Sequence, residues 1–199
     1  MASQGPISAG AGANQAGVGT VAWSSTGNVV ASDNTRASAI LSAGNQSQYL
    51  VASSFGFSVP GGSTIDGIVV EVERHGSNTN VLDNRVRIVK GGVIGSTDKS
   101  SVSQWPITSG SEAYASYGGT SDLWGETWTA SDINASDFGV AVSAKNTNPK
   151  ILRVANVDHV RITVYYTEGT TTTTTTTTTP APSSTPRRQS ISLASGIRL

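Results

Sequence analysis

"IDGIVVEVERHG", residues 65–76, decides the fold. Ile68, Val70 and Val72 fall on one face and Glu71 and Glu73 on the other, the period-two alternation of a half-buried strand. "NRVRIVKGG", residues 84–92, repeats the pattern with Val86 and Ile88 against Arg85 and Arg87. If the two pair as neighbours, Glu71 and Glu73 lie beside Arg85 and Arg87 on the solvent face, where each opposite-charge pair adds about 0.2–1 kcal/mol and fixes register. "DFGVAVSAKN" (137–146) carries Phe138, Val140 and Val142 on one side. "DHVRITVYYTE" (158–168) sets Val160, Ile162 and Val164 against Arg161, Thr163 and Tyr165. "GTVAWS" (19–24), "SQYLVASSF" (47–55) and "SVSQW" (101–105) are weaker strand candidates.

Between these runs stand turn clusters such as "GNVVASDN", "PGGST", "GSNTN", "YGGTSD" and "KNTNPK". The one helix signal is "TASDINASDF", where Thr129 caps a single turn through Asp132. Many short strands with Gly, Pro and Asn turns predict an all-β antiparallel sandwich or jelly roll. Residues 21–168 form that domain in this reading. Residues 1–20, rich in Gly and Ala with nothing large to bury, read as an extended arm. A Thr/Pro-rich spacer occupies 169–186, and residues 187–199 form a terminal strand.

Only 13% of the 199 residues are charged and the net charge is zero, so no overall field draws the chain to nucleic acid or to an anionic membrane. Cysteine is absent, which excludes disulfides, thiolate metal sites and Cys nucleophiles. The N-terminus has neither a basic region nor an apolar core, and no apolar run reaches membrane-spanning length, so synthesis in a cytoplasm is expected.

Catalytic constellations are not evident. His75 and His159 follow and open strands; a metal shared with Asp66 or Asp158 would need a ligand spacing that the sequence lacks, and strand-end polar residues are the simpler reading. The carboxylates are scattered and mostly sit at turns, where they commonly bond backbone amides, and no pair or Ser/His/Asp set stands out. A calcium site among Asp122, Glu126 and Asp132 lacks the dense spacing of a calcium loop. No cofactor is expected. Trp105, Tyr114, Tyr117, Trp124 and Trp128 fall close together in sequence. They either stack on sugars or fill a core or subunit interface, the second being the commoner use.

"GTVAWSSTGNVVASDNTRASAIL", "FGFSVPGGSTIDGIVVEVERHG", "RIVKGGVIGS", "YGGTSDLWGETWTASDINASDFGVAVSAKN" and "VDHVRITVYYT" together resemble a β-rich module of tailed-bacteriophage structural proteins, over residues 4 to 167. The module occurs in capsid decoration or cement proteins and in tail or fibre components. The resemblance implies a non-enzymatic interaction protein of the virion, a trimer by expectation, whose partners are the major capsid protein or other virion subunits. It carries no catalytic residues.

The C-terminus fits that expectation. Thr and Pro favour extended backbone, and the spacer 170–186 reaches about 55 Å at about 3.3 Å per residue. In "RRQSISLASGIRL", Ile191, Leu193, Ile197 and Leu199 fall on one face of a strand, with Arg187 and Arg188 ahead of them. Such a strand needs a partner, and docking on another virion subunit by strand addition would supply one; the alternative is a terminus with incidental apolar residues. The expected function is thus capsid decoration or cement at joints between shell subunits. The alternatives are a tail, neck or fibre component and, from a different class, a carbohydrate-binding module.

Overall fold

The computed structural model describes residues 1–107 and 112–169. The expectations for Arg187, Arg188, Ile191, Leu193, Ile197 and Leu199, and for the spacer beyond Gly169, lie outside the described residues. Among the described residues ten strands, one 3-10 turn and one short α-helix occur in the order β1 (Ala2–Ser8), β2 (Ala11–Gln15), the 3-10 turn (Thr26–Val29), β3 (Ala37–Leu41), β4 (Tyr49–Ser53), β5 (Thr64–Gly76), β6 (Val81–Lys90), β7 (Val93–Ile94), β8 (Ala113–Gly119), α1 (Ala130–Asn134), β9 (Gly139–Asn146) and β10 (Arg153–Thr167).

Pairing explains the architecture. β3 pairs with β10, β4 with β9, β5 with β8 and β6 with β7, all antiparallel. The chain from β3 to β10 is therefore one long hairpin, its first strand against its last. Rolling that hairpin up brings β10 beside β5 and β9 beside β6. The result is two facing sheets, β3-β10-β5-β8 and β4-β9-β6-β7, which is the jelly-roll order and the expected all-β antiparallel sandwich. Consecutive strands mostly alternate between sheets, so each places its apolar side toward the same interior.

Ile68, Val70 and Val72 of β5, Val86 and Ile88 of β6, Val140 of β9, and Val160, Ile162 and Val164 of β10 are all fully buried between the sheets. Each contributes about 1.5–3 kcal/mol by leaving water. Strand β9 is buried on both faces from Gly139 to Ala144. Helix α1 has the capping box expected from "TASD": the Asp132 amide donates to Thr129 Oγ1 at 3.1 Å and the Thr129 amide donates to Asp132 Oδ2 at 2.8 Å.

Two expectations are corrected. Residues 1–20 are extended but do not stand apart as an arm. β1 pairs with β10 on the flank that β3 also uses, and β2 pairs with β4, so the segment adds an edge strand to each sheet. Small side chains permit this docking: a Cβ on Gly12 would collide with the carbonyl oxygen of Thr26 and the side chain of Val29. Val18 packs outside the second sheet against Tyr49, Val89 and Ala141. Asn14 holds the backbone of Trp23 with two side-chain hydrogen bonds, 2.7 Å to its carbonyl and 2.8 Å from its amide, which places "GTVAWS" without making it a strand.

The second correction concerns β5 and β6, which lie in opposite sheets, so Glu71 and Glu73 do not meet Arg85 and Arg87. Glu71 instead receives a bidentate pair from its register neighbour Arg161, at 2.9 and 3.0 Å, and Arg85 meets Asp98 at 3.3 Å. What connects β5 to β6 points inward. Arg74 continues the buried face of β5 and donates to Asp83 at 2.8 Å, with Asp83 1% exposed.

Candidate functional site

Outward from the first sheet, the register sets one polar row. His159 on β10 lies opposite Glu73 on β5, which lies opposite Tyr114 on β8. The Tyr114 hydroxyl reaches across Glu73 to His159 Nδ1 at 2.7 Å, and His159 Nε2 contacts Ser8 Oγ at 2.9 Å. The Arg161 guanidinium lies 3.8 Å from the centre of the Tyr114 ring, and its nitrogens are bonded to Glu71. The row thus runs from β8 to β1, across the whole sheet.

A β-bulge shapes its centre. Between Val157 and His159 the register against β5 shifts, so Asp158 is the additional residue. Residues 30–36 cover it: Val30 bridges to His159, and the Asn34 amide, in left-handed conformation with φ 66°, donates to Asp158 Oδ2 at 3.1 Å. Arg36 continues along the sheet to an ion pair with Glu112, whose Oε1 is also 3.2 Å from His75 Nδ1. His75 Nε2 lies 3.2 Å from Asn156 Nδ2.

Burial governs the titration of this face. It lowers His159, with Glu73 opposing, and lowers His75, with Glu112 opposing, so both rings are neutral at neutral pH. Burial raises the Tyr114 phenol. It also raises the Asp158 carboxyl, against the Asn34 amide and with the help of the Glu73 charge.

A neutral imidazole beside a serine hydroxyl is the beginning of a nucleophile–base pair. Here the second ring nitrogen is held by a phenol where a triad would place a carboxylate, so no adjacent charge stabilises an imidazolium through that bond. The relay pins β1 and β8 to β10. His75 and His159 engage separate partners, Asp66 bonds Thr167 at 2.7 Å, and no group of three or more His, Cys, Asp or Glu among the described residues is disposed to hold a metal ion. Of the carboxylates considered for calcium, Asp122 binds Lys99 at 2.6 Å and Asp132 caps α1.

The five aromatic residues divide among separate settings. Trp105 and Tyr117 are buried in the core, where the indole nitrogen donates to Asp83 Oδ1 at 2.8 Å and the phenol to Oδ2 at 2.9 Å. The Arg74 guanidinium lies 4.7 Å from the Trp105 ring centre. Trp124 is fully buried and donates to the Ile68 carbonyl at 3.0 Å. Trp128 packs edge-on to Phe138, and Tyr114 belongs to the polar row. Sequence proximity thus reflects neither a common surface nor one shared cluster: Trp105 lies by Arg74 toward one end of β5 and Trp124 by Ile68 toward the other. Trp105 and Trp124, at 1% and 0% exposure, cannot stack on a sugar.

The polar row itself escaped sequence reasoning because Ser8, Glu73, Tyr114 and His159 come from four strands far apart in the chain. Only the "VDHV" break in alternation at Asp158–His159 hinted at it. No protein-family model, curated protein or solved structure matches the chain. Among the described residues no helix is long and apolar enough to cross a membrane.

Proposed function

We propose that this chain is a non-enzymatic structural subunit of a tailed-bacteriophage virion, a decoration or cement protein that binds between major capsid subunits, and that it works as a homotrimer. The observation that carries the reading is an exposed apolar group at one end of the first sheet. Ile40 on β3 lies opposite Val154 on β10, and Ile151 and Leu152 precede that strand; Ile40, Ile151 and Leu152 are 61%, 55% and 50% exposed. Grouped apolar side chains in a protein so sparing of large residues mark a contact surface. Further support comes from β8, an edge strand whose outer side pairs with no other strand among the described residues. A partner can add a strand there.

The Thr/Pro spacer and the one-faced segment 187–199 give a second attachment. Linking two modest contacts raises the effective concentration of each and makes the pair durable. Trimerisation and shell binding are separable: sedimentation reports the first, and incorporation into particles the second. Replacing Ile40 and Leu152 together by Asp leaves the sandwich core untouched and should abolish incorporation or trimer formation. Wild-type behaviour in both assays would refute the assignment of this surface.

A further inference from the structure

The outer face of the first sheet holds a charge imbalance that its own residues do not relieve. Around the bulge, β5 contributes Glu71 and Glu73, with His75 beyond; β10 contributes Asp158, His159 and Arg161; β8 contributes Tyr114; residues 30–36 contribute Asp33 and Arg36; and Glu112 precedes β8. Arg161 is engaged by both oxygens of Glu71, Arg36 is bonded to Glu112 and to Asn34, and burial keeps the two imidazoles neutral. Glu73 and Asp158 are left as carboxylates without a guanidinium of their own.

Each also leaves one oxygen buried and without a hydrogen-bond partner, Glu73 Oε2 and Asp158 Oδ1. Asp158 is only 2% exposed, so water does not reach it freely. An unpaired buried carboxylate oxygen is costly, and two repelling ones cost more. The bulge sets Asp158 and His159 together against Glu73, while the Tyr114–His159 contact closes over Glu73 and the Asn34 amide fixes the other oxygen of Asp158. The Tyr114 hydroxyl, on the residue opposite Glu73 in register, sits at the same place. The donors available are oxygens, and Asp33, whose charge also acts on Asp158, accepts from the Thr35 amide.

We propose that Glu73 Oε2 and Asp158 Oδ1, with the hydroxyl of Tyr114, bind one hard cation of the calcium class. Two carboxylates, a hydroxyl and water suit the six to eight oxygen ligands that calcium takes, and so few charged ligands place the affinity at about 10⁻⁴ to 10⁻³ M. Because residues 30–36, β5, β8 and β10 meet there, the ion would fasten the loop and the β8 edge to the centre of the sheet. The site is independent of the virion assignment and is tested on the free protein.

Thermal unfolding of the full chain is followed in EDTA and in calcium at matched ionic strength. At ten times the dissociation constant, calcium should raise the wild-type Tm by about 3–5 °C. Glu73→Gln and Asp158→Asn each remove the repulsion, so they should melt at or above wild type in EDTA and show no calcium shift. A wild-type Tm indifferent to calcium, or an undiminished shift in both variants, would overturn the proposal. Terbium luminescence covers the case of variants that fail to fold. Terbium bound to wild type should be sensitised through Tyr114 and displaced by calcium; emission that calcium does not displace contradicts the site.

Discussion

Replacing Arg74 would leave Asp83 as a buried carboxylate with only Trp105, Tyr117 and the Ser101 amide to hold it. Burial already pushes the Asp83 carboxyl up, and Arg74 is the largest opposing influence. Arg74→Met should therefore cost about 3–5 kcal/mol, while replacing both partners by apolar residues should cost distinctly less, because no charge is then stranded. Urea denaturation of the single and double variants measures the difference. The histidines give a second expectation at this scale. Both have folded-state pKa values lowered from the ordinary 6.5, so the unfolded chain takes up protons that the folded one does not. Their contribution is present above pH 6.5 and is lost as the pH falls below it. The urea midpoint should decline from pH 7 to 5, and His75→Gln and His159→Gln should each flatten the decline. Parity puts Arg74 on the face of Ile68, Val70 and Val72, but no local pattern identifies Asp83 as the partner that lets a guanidinium stay there. That partner sits on the opposite sheet.

Among the elements, the long strands were readable and the short ones were not. β5, β6, β9 and β10 each carry a stretch with Val or Ile at alternate positions, and burial of those stretches follows the sequence. β3 ("ASAIL") and β8 ("AYASYGG") lack that pattern because Ala, Ser and Gly fill places where neighbours come close. Gly118 illustrates the constraint: its φ is +80°, and a Cβ would strike the Ile68 carbonyl and, at 2.7 Å, the Trp124 indole nitrogen. Gly118→Ala should destabilise the protein by about 1–3 kcal/mol through backbone strain alone, with chemical denaturation as the measure. The N-terminal segment follows the same constraint, since its small residues let β1 and β2 lie close against their neighbours, a packing that no large side chain signals in the sequence. Deleting residues 1–15 removes β1 and β2 and exposes the flanks of β10 and β4. The truncated chain should melt at a clearly lower temperature than the full chain. An unchanged melting curve would restore the picture of a free arm.

At the scale of the whole molecule, one rolled hairpin gives two sheets, a continuous apolar interior and an outer surface on which polar chemistry and apolar contact are separated. The polar row occupies the middle of the first sheet, and Ile40, Ile151 and Leu152 mark one end. Strand periodicity made the sandwich legible. The row was not, because it depends on cross-strand register, which no local pattern encodes. The proposed assembly role rests on the apolar end and the open β8 edge. Quantifying this chain against the major capsid protein in purified particles of the phage that encodes it tests that role most directly. A near-stoichiometric amount is the predicted result; a trace amount would contradict placement on the shell, and complete absence would contradict the virion assignment itself.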